Sequence, residues 1–103
     1  MRKIEKELRE AIRNQKPFSK QNTVFARDPK FNDLWILYLH GNAIAQFKPG
    51  NTVPEYISLA GWTSQTTRSR LNALDGVDIH MKDFVPYLNG KEIGTIGWFS
   101  PKE

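Results

Sequence analysis

The sequence predicts an α+β domain in which an antiparallel sheet, a meander followed by a C-terminal hairpin, carries two packed helices. Three observations predict it: an amphipathic helical pattern at the N-terminus, short apolar runs separated by turn residues, and an Asn-Gly pair near the C-terminus. At 103 residues the chain fits one domain. We expect a basic amphipathic helix over 1–16, the sheet over 17–96 with a helix inserted at 64–74, and a tail at 97–103.

The first helix is indicated within residues 2–14 by apolar side chains at helical spacing, Ile4, Leu8, Ala11 and Ile12. It ends before Pro17, because the residue preceding a proline avoids helical geometry. Residues 1–20 hold seven basic and three acidic residues, a net charge of +4, whereas the remaining residues hold eight of each. The basic character of the chain therefore rests on this helix and its flanks.

Strands are predicted over 22–27, 34–39, 43–47, 56–60, 77–82, 84–88 and 91–93. The run from Leu34 to Leu39 is apolar on both faces, which is typical of a central strand that is covered on both sides. The turn residues Asn89-Gly90 suit a type I′ hairpin.

The start of the second helix, which Thr63 or Ser64 would cap and Asp75-Gly76 would end, is the candidate binding site. A helix N-terminus attracts anions through its unpaired N–H groups and the positive end of the dipole. Further candidates are the hydroxyls of Thr63, Ser64, Thr66 and Thr67, the guanidinium groups of Arg68 and Arg70 for phosphate, and Trp62 as a stacking surface for a base. A plain structural interpretation stays open, with the hydroxyls as caps, the indole in the core and the arginines solvated.

Other chemistry has little support in the sequence. The absence of cysteine excludes disulfides, thiolate nucleophiles and Cys-based zinc sites. The two histidines, His40 and His80, have no context that indicates a catalytic triad or a metal site. We therefore expect no catalytic residue, no metal and no cofactor. No apolar run reaches the about 18 residues of a membrane span, so we expect no membrane partner and a cytoplasmic location.

The stretch Gly61-Trp62-Thr63-Ser64-Gln65-Thr66-Thr67-Arg68-Ser69-Arg70-Leu71-Asn72, together with the charged first helix and the turn Gly41-Asn42, resembles small bacteriophage-encoded proteins. Over about residues 20–90 the chain resembles anti-defence sponge proteins that sequester nucleotide immune signals, such as those of the Thoeris system. The resemblance implies a non-enzymatic accessory protein in the host cytoplasm that binds a phosphorylated nucleotide. It implies ligand contacts at Trp62, Thr66, Thr67, Arg68, Arg70 and Asn72. It also implies a homo-oligomer.

Two alternatives remain. A nucleic-acid-binding or host-regulatory protein could use the first helix (Arg2, Lys3, Lys6, Arg9, Arg13) and both arginines of the second helix as a phosphate-tracking surface. An inhibitor of a host protein could instead use an exposed aromatic surface at Trp98-Phe99. The nucleotide hypothesis predicts that Arg68 and Arg70 are both exposed.

Overall fold

The computed structural model describes residues 2–102, so Met1 and Glu103, at the ends of the predicted domain, lie outside the described residues. The described chain forms two helices and eight strands: α1 (Lys3–Asn14), β1 (Phe18–Lys20), β2 (Thr23–Asp28), β3 (Leu34–Leu39), β4 (Asn42–Phe47), β5 (Tyr56–Ile57), α2 (Gln65–Asn72), β6 (Ile79–Lys82), β7 (Val85–Leu88) and β8 (Lys91–Glu92). The predicted α+β class is confirmed.

The strands form two antiparallel sheets. The first is a meander in the order β1-β2-β3-β4-β5, and the second is a hairpin-linked sheet in the order β6-β7-β8. The order of predicted strands in the sequence indicates a single sheet instead. The chain leaves the first sheet after β5 at a turn where Ala60 and Gly61 both have positive φ (53° and 82°), and α2 follows before the next strand begins.

The core lies on one face of the five-stranded sheet, here called the inner face. Side chains of α1, α2, the second sheet and the inner face belong to one buried cluster, among them Leu8, Phe25, Leu37, Leu71 and Leu88. The Phe25 ring stacks on Trp35 at a centroid distance of 4.7 Å and meets Phe47 edge-on at 5.5 Å. Both helices therefore pack on the same side of this sheet.

Some predicted boundaries are wrong. The strand β1 was not predicted, because three residues are too few for an alternating pattern. The strand predicted over 56–60 ends at Ile57, and the second helix, predicted to residue 74, ends at Asn72. The segment predicted as a tail is anchored: Phe99 exchanges two backbone hydrogen bonds with Ile57, of 2.8 and 2.9 Å, and Pro101 is buried.

The prediction that β3 is covered on both faces is confirmed for one face and holds in part for the other, where Ile36 is buried and Leu34 and Tyr38 are half-buried. Trp35, Leu37 and Leu39 point into the core cluster, but the alternate side chains of β3 do not belong to it. These alternate positions lie on the opposite face of the sheet, here called the outer face. The strand is central in the sheet order, as predicted, yet the core covers its inner face alone.

Candidate functional site

A pocket of about 470 Å³ lies between the β3–β4 turn and the start of α2. It is lined by Leu39, His40, Asn42, Ile44, Leu59, Trp62, Ser64, Thr66 and Thr67. Its volume falls within the about 300–1,000 Å³ of small-molecule sites. The pocket therefore contains part of the predicted segment together with side chains from the β3–β4 hairpin, which lies earlier in the chain.

Two tight turns shape the pocket. His40 and Gly41 connect β3 to β4 with φ values of 52° and 79°, the positive pair that a two-residue type I′ hairpin requires. On the other side, the turn at Ala60-Gly61 places Trp62 outside the core, where its side chain is 61% exposed. The β-bulge in the β3–β4 pairing falls between Leu37 and Tyr38, just before this end of the hairpin.

The pocket has an apolar floor and a neutral polar rim. Leu39, Ile44 and Leu59 are buried and form the floor. Asn42, Ser64 and Thr66 supply amide and hydroxyl groups, and Trp62 supplies a large exposed aromatic face. Among the described lining residues, His40 is the sole one with an ionisable side chain. Such a lining suits a planar, largely uncharged group.

A chain of hydrogen bonds connects the interior to His40. The Arg70 Nε–H donates to Thr23 Oγ1 (3.0 Å), and the Thr23 hydroxyl donates to Asn22 Oδ1 (3.2 Å). With its oxygen engaged in this way, the Asn22 amide presents its nitrogen to His40 Nε2 at 3.0 Å. The Asn22 amide nitrogen can only donate, so His40 Nε2 accepts this hydrogen bond. A neutral His40 ring then carries its proton on Nδ1. Arg70 thus helps to orient a ring at the pocket rim without reaching the pocket.

The start of α2 offers further donors. Ser64 is the N-cap, as predicted for Thr63 or Ser64, and its Oγ accepts the backbone N–H of Thr67 at 3.3 Å. The N–H groups of Gln65 and Thr66 have no acceptor within the helix, because the fourth residue before each lies outside it. Arg68 folds back toward this end, where its Nε–H donates to the Thr63 carbonyl at 3.2 Å. The region is therefore electropositive.

Arg70 does not have the exposed position that the sequence analysis predicts. Its side chain is buried, with a relative exposure of 3%, and its Nη1 donates to Glu5 Oε2 at 2.8 Å. Ser69 also donates to this carboxylate oxygen, at 2.6 Å, and the backbone N–H of Arg2 donates to Glu5 Oε1 at 3.3 Å. A cation that is buried and paired in this way cannot contact a ligand's phosphate unless the interior opens.

The environment of Glu5 favours its ionised form. Burial alone would raise the pKa of Glu5. The hydrogen bonds from Ser69, the Arg2 backbone and Arg70, together with the charge of Arg70, outweigh burial and hold the pKa below its ordinary value. The pair therefore links α1 to α2 as a fully ionised contact at neutral pH.

The remaining predicted contacts divide between two surfaces. Trp62, Thr66 and Thr67 line the pocket, although Thr67 is buried and its Oγ1 lies 3.1 Å from Ser64 Oγ. Arg68 and Asn72 line a separate, shallow depression with Glu5, Gln65, Ser69 and Ala73. The Asn72 amide is occupied by the backbone of Ile79, donating at 3.0 Å and accepting at 2.6 Å. Asn72 thus joins α2 to β6.

His40, Asn42 and the apolar floor were not predicted as site residues. Leu39 and Ile44 have the same hydrophobic character as core positions, so no local signal separates them. The turn His40-Gly41 was visible in the sequence, but the approach of that turn to α2 depends on contacts that are distant in the chain.

The surface that the nucleic-acid alternative requires is not formed as predicted. Arg70 is buried, and Arg9 is engaged in an ion pair with Asp75 at 2.7 Å. Arg2, Lys3, Lys6 and Arg13 are exposed on α1. Binding of nucleic acid by α1 alone stays a prediction. Within residues 2–102 no group of three or more His, Asp or Glu side chains is arranged to hold a metal ion.

Neither helix of residues 2–102 has the length and hydropathy needed to cross a bilayer.

Comparisons with known proteins identify the family. No curated protein and no solved structure matches the chain. A family model described as Kyanoviridae Gp96 protein matches residues 1–103. The chain therefore belongs to the Kyanoviridae Gp96 protein family and is a phage protein.

Proposed function

We propose that this phage protein binds a small nucleotide in the pocket between the β3–β4 turn and the start of α2, and sequesters it without chemical change. The observation that carries the proposal is the exposed Trp62 indole beside an apolar-floored pocket with a neutral polar rim. The base would stack against this indole, with the neighbouring amide and hydroxyl groups reading its edge. A host immune signal is the kind of nucleotide that an anti-defence protein would remove.

The phosphate would lie at the start of α2. The free N–H groups of Gln65 and Thr66 and the positive end of the helix dipole attract an anion there. The Arg68 guanidinium adds a formal charge close to the Thr63 carbonyl. Arg70 has no place in this arrangement, since its charge is compensated by Glu5. Of the two arginines predicted to contact phosphate, Arg68 alone would do so.

Binding rather than catalysis is proposed because the pocket has few reactive groups. His40 is the sole described lining residue that could serve as a general acid or base, and no carboxylate or amine lines the pocket beside it. Ser64 could serve as a nucleophile only with a general base in hydrogen-bonding reach, and its hydroxyl is engaged with Thr67.

Isothermal titration calorimetry against mononucleotides, dinucleotides and cyclic nucleotides tests the proposal. We expect saturable binding of at least one nucleotide to the wild-type protein. The variant Trp62→Ala should bind that nucleotide about 5–150-fold more weakly, because stacking of one base contributes about 1–3 kcal/mol.

Phe84→Ala is the matched control, because it removes another exposed aromatic ring from a turn that does not line the pocket. Its affinity should equal that of the wild type. The proposal fails if no nucleotide produces heat, or if Trp62→Ala binds as tightly as Phe84→Ala.

A further inference from the structure

The outer face of the five-stranded sheet is apolar and has no covering layer among the described elements. Cross-strand pairs place Val24 opposite Tyr38 and Ala26 opposite Ile36, with the next strands continuing this face. Its strand positions are Ser19, Val24, Ala26, Asp28, Leu34, Ile36, Tyr38, Ala43, Gln46 and Tyr56. None of them belongs to the core cluster, which includes residues of both helices and both sheets. Ile36 lies at the centre of the face and is 7% exposed, because its neighbours on the face surround it.

The composition of the outer face is that of an interface. An antiparallel sheet with one face in water normally alternates apolar residues on the inside with polar residues on the outside. Here Asp28 is the sole charged side chain among the ten described strand positions, and its carboxylate accepts the Lys30 backbone N–H at 2.9 Å. An apolar face of this kind on a soluble domain indicates a binding surface.

Two aromatic side chains flank a groove across this face. The groove measures about 220 Å³ and has Leu34, Ile36 and Tyr38 along its floor. Phe31, 64% exposed, comes from the β2–β3 turn at one side, and Trp98, 40% exposed, comes from the C-terminal segment at the other. Exposed aromatic residues around an apolar centre are typical of the energetic centres of protein interfaces.

We propose that a second copy of this chain covers the outer face, so that the protein is a face-to-face homodimer. The distribution of charge favours this occupant. The net charge of +4 comes from residues 1–20, and the helix in that segment packs on the inner face. Two copies joined through their outer faces keep their basic helices on opposite sides of the dimer. The joined surfaces carry almost no charge, so the two copies do not repel each other there.

The area of the face is sufficient for a dimer. Four strands at about 4.8 Å spacing, with up to six residues of about 3.4 Å each, give a projected face of roughly 400 Å². Phe31, Tyr56 and Trp98 stand at its rim with exposed fractions of 64%, 42% and 40%, so each can still bury roughly half of the about 150–250 Å² of such a side chain. Together these contributions approach the about 800 Å² per copy of a standard protein interface.

The geometry of such a dimer follows from known sheet packing. Two sheets packed face to face align their strands at about −30° and interdigitate side chains. A two-fold axis would place the same patch of each copy against the other, so the aromatic rim of one copy meets the groove of its partner. The nucleotide pocket is lined by inner-face, turn and α2 residues, so this dimer leaves it open.

Sedimentation-velocity and sedimentation-equilibrium ultracentrifugation of the full chain tests the proposal. The wild-type protein should sediment at twice the chain mass at micromolar concentration. Phe31→Lys and Tyr56→Lys should each raise the dimer dissociation constant by at least about tenfold, since a charge then lies in the joined faces.

Phe84→Lys is the control, because it makes the same kind of change at the β6–β7 turn, where the ring is 97% exposed, and it should remain dimeric. Circular dichroism confirms that each variant is folded. If the wild-type protein is a monomer at every concentration, the proposal is overturned, and a different partner would have to cover the outer face. A dimer that both face variants leave intact, or that Phe84→Lys dissociates, would overturn it equally.

Discussion

The two ends of one short helix have opposite environments. At the start of α2, Trp62 is exposed, Ser64 caps the helix and Arg68 folds back over the surface. Near the other end, Arg70 is buried and hydrogen-bonded to both Glu5 and Thr23. Residues that look like one basic, hydroxyl-rich motif in the sequence therefore belong to two structures, an open site and a closed internal network.

Helical geometry explains the difference. Residues two positions apart on an α-helix are rotated by about 200°, so Arg68 and Arg70 cannot share a face. Arg70 lies three positions after Thr67, and both side chains are buried with Leu71. A basic residue at the spacing of an apolar face indicates a buried cation with a partner. That partner is Glu5, which is buried beside Ile4 and Leu8 on α1.

The largest effect that separates the two ends concerns stability. Arg70→Ala leaves the Glu5 carboxylate buried without its cation, so we expect a loss of about 3–5 kcal/mol in the free energy of unfolding. Arg68→Ala should change that free energy by less than about 0.5 kcal/mol, because it lies at the surface. Urea denaturation followed by circular dichroism measures both. Equal losses for the two variants would contradict the division of the helix into an open and a closed end.

A smaller effect concerns acid. Because the pKa of Glu5 is lower in the folded protein than its ordinary value of 4.5, its contribution to stability is present above that ordinary value. This contribution is lost as the pH falls through the folded value. Glu5→Gln should therefore be less stable than the wild type at neutral pH, with a difference that shrinks in acid.

Glu10→Gln serves as the control for that experiment, because Glu10 is exposed on the same helix. Its unfolding free energy should follow the wild-type curve between about pH 3 and 7, values chosen to bracket the ordinary pKa of 4.5. If Glu5→Gln also follows that curve, the carboxylate does not stabilise the fold in its ionised form.

Much of the fold could be predicted because its signals are local. The helix period of Ile4, Leu8 and Ile12, and the turn at Asn89-Gly90, act within a few residues of the chain. Asn89 and Gly90 have the positive φ values of 49° and 87° that this turn requires. The division into two sheets was not predictable in this way, since strand pairing between distant segments decides it.

The candidate site could be predicted only in part, for the same reason. Trp62 and the Ser64 cap follow from a local strand-to-helix junction. The contribution of His40 to the pocket, and the burial of Arg70 by a residue 65 positions earlier, are consequences of tertiary packing. The apolar outer face of β3 was visible in the sequence as an apolar run, but the core covers one side alone.

The most direct test of the central claim compares a nucleoside with its nucleotide. Using the nucleotide found to bind, calorimetry should give weaker binding of both compounds to Trp62→Ala, because the indole contacts the base. Arg68→Ala should weaken binding of the nucleotide by about tenfold or more, which is the effect of losing one charge-assisted hydrogen bond. Its affinity for the nucleoside should equal that of the wild type. Equal losses for the two compounds in Arg68→Ala, or unchanged binding in Trp62→Ala, would contradict the assignment of the open end of α2 as the ligand site.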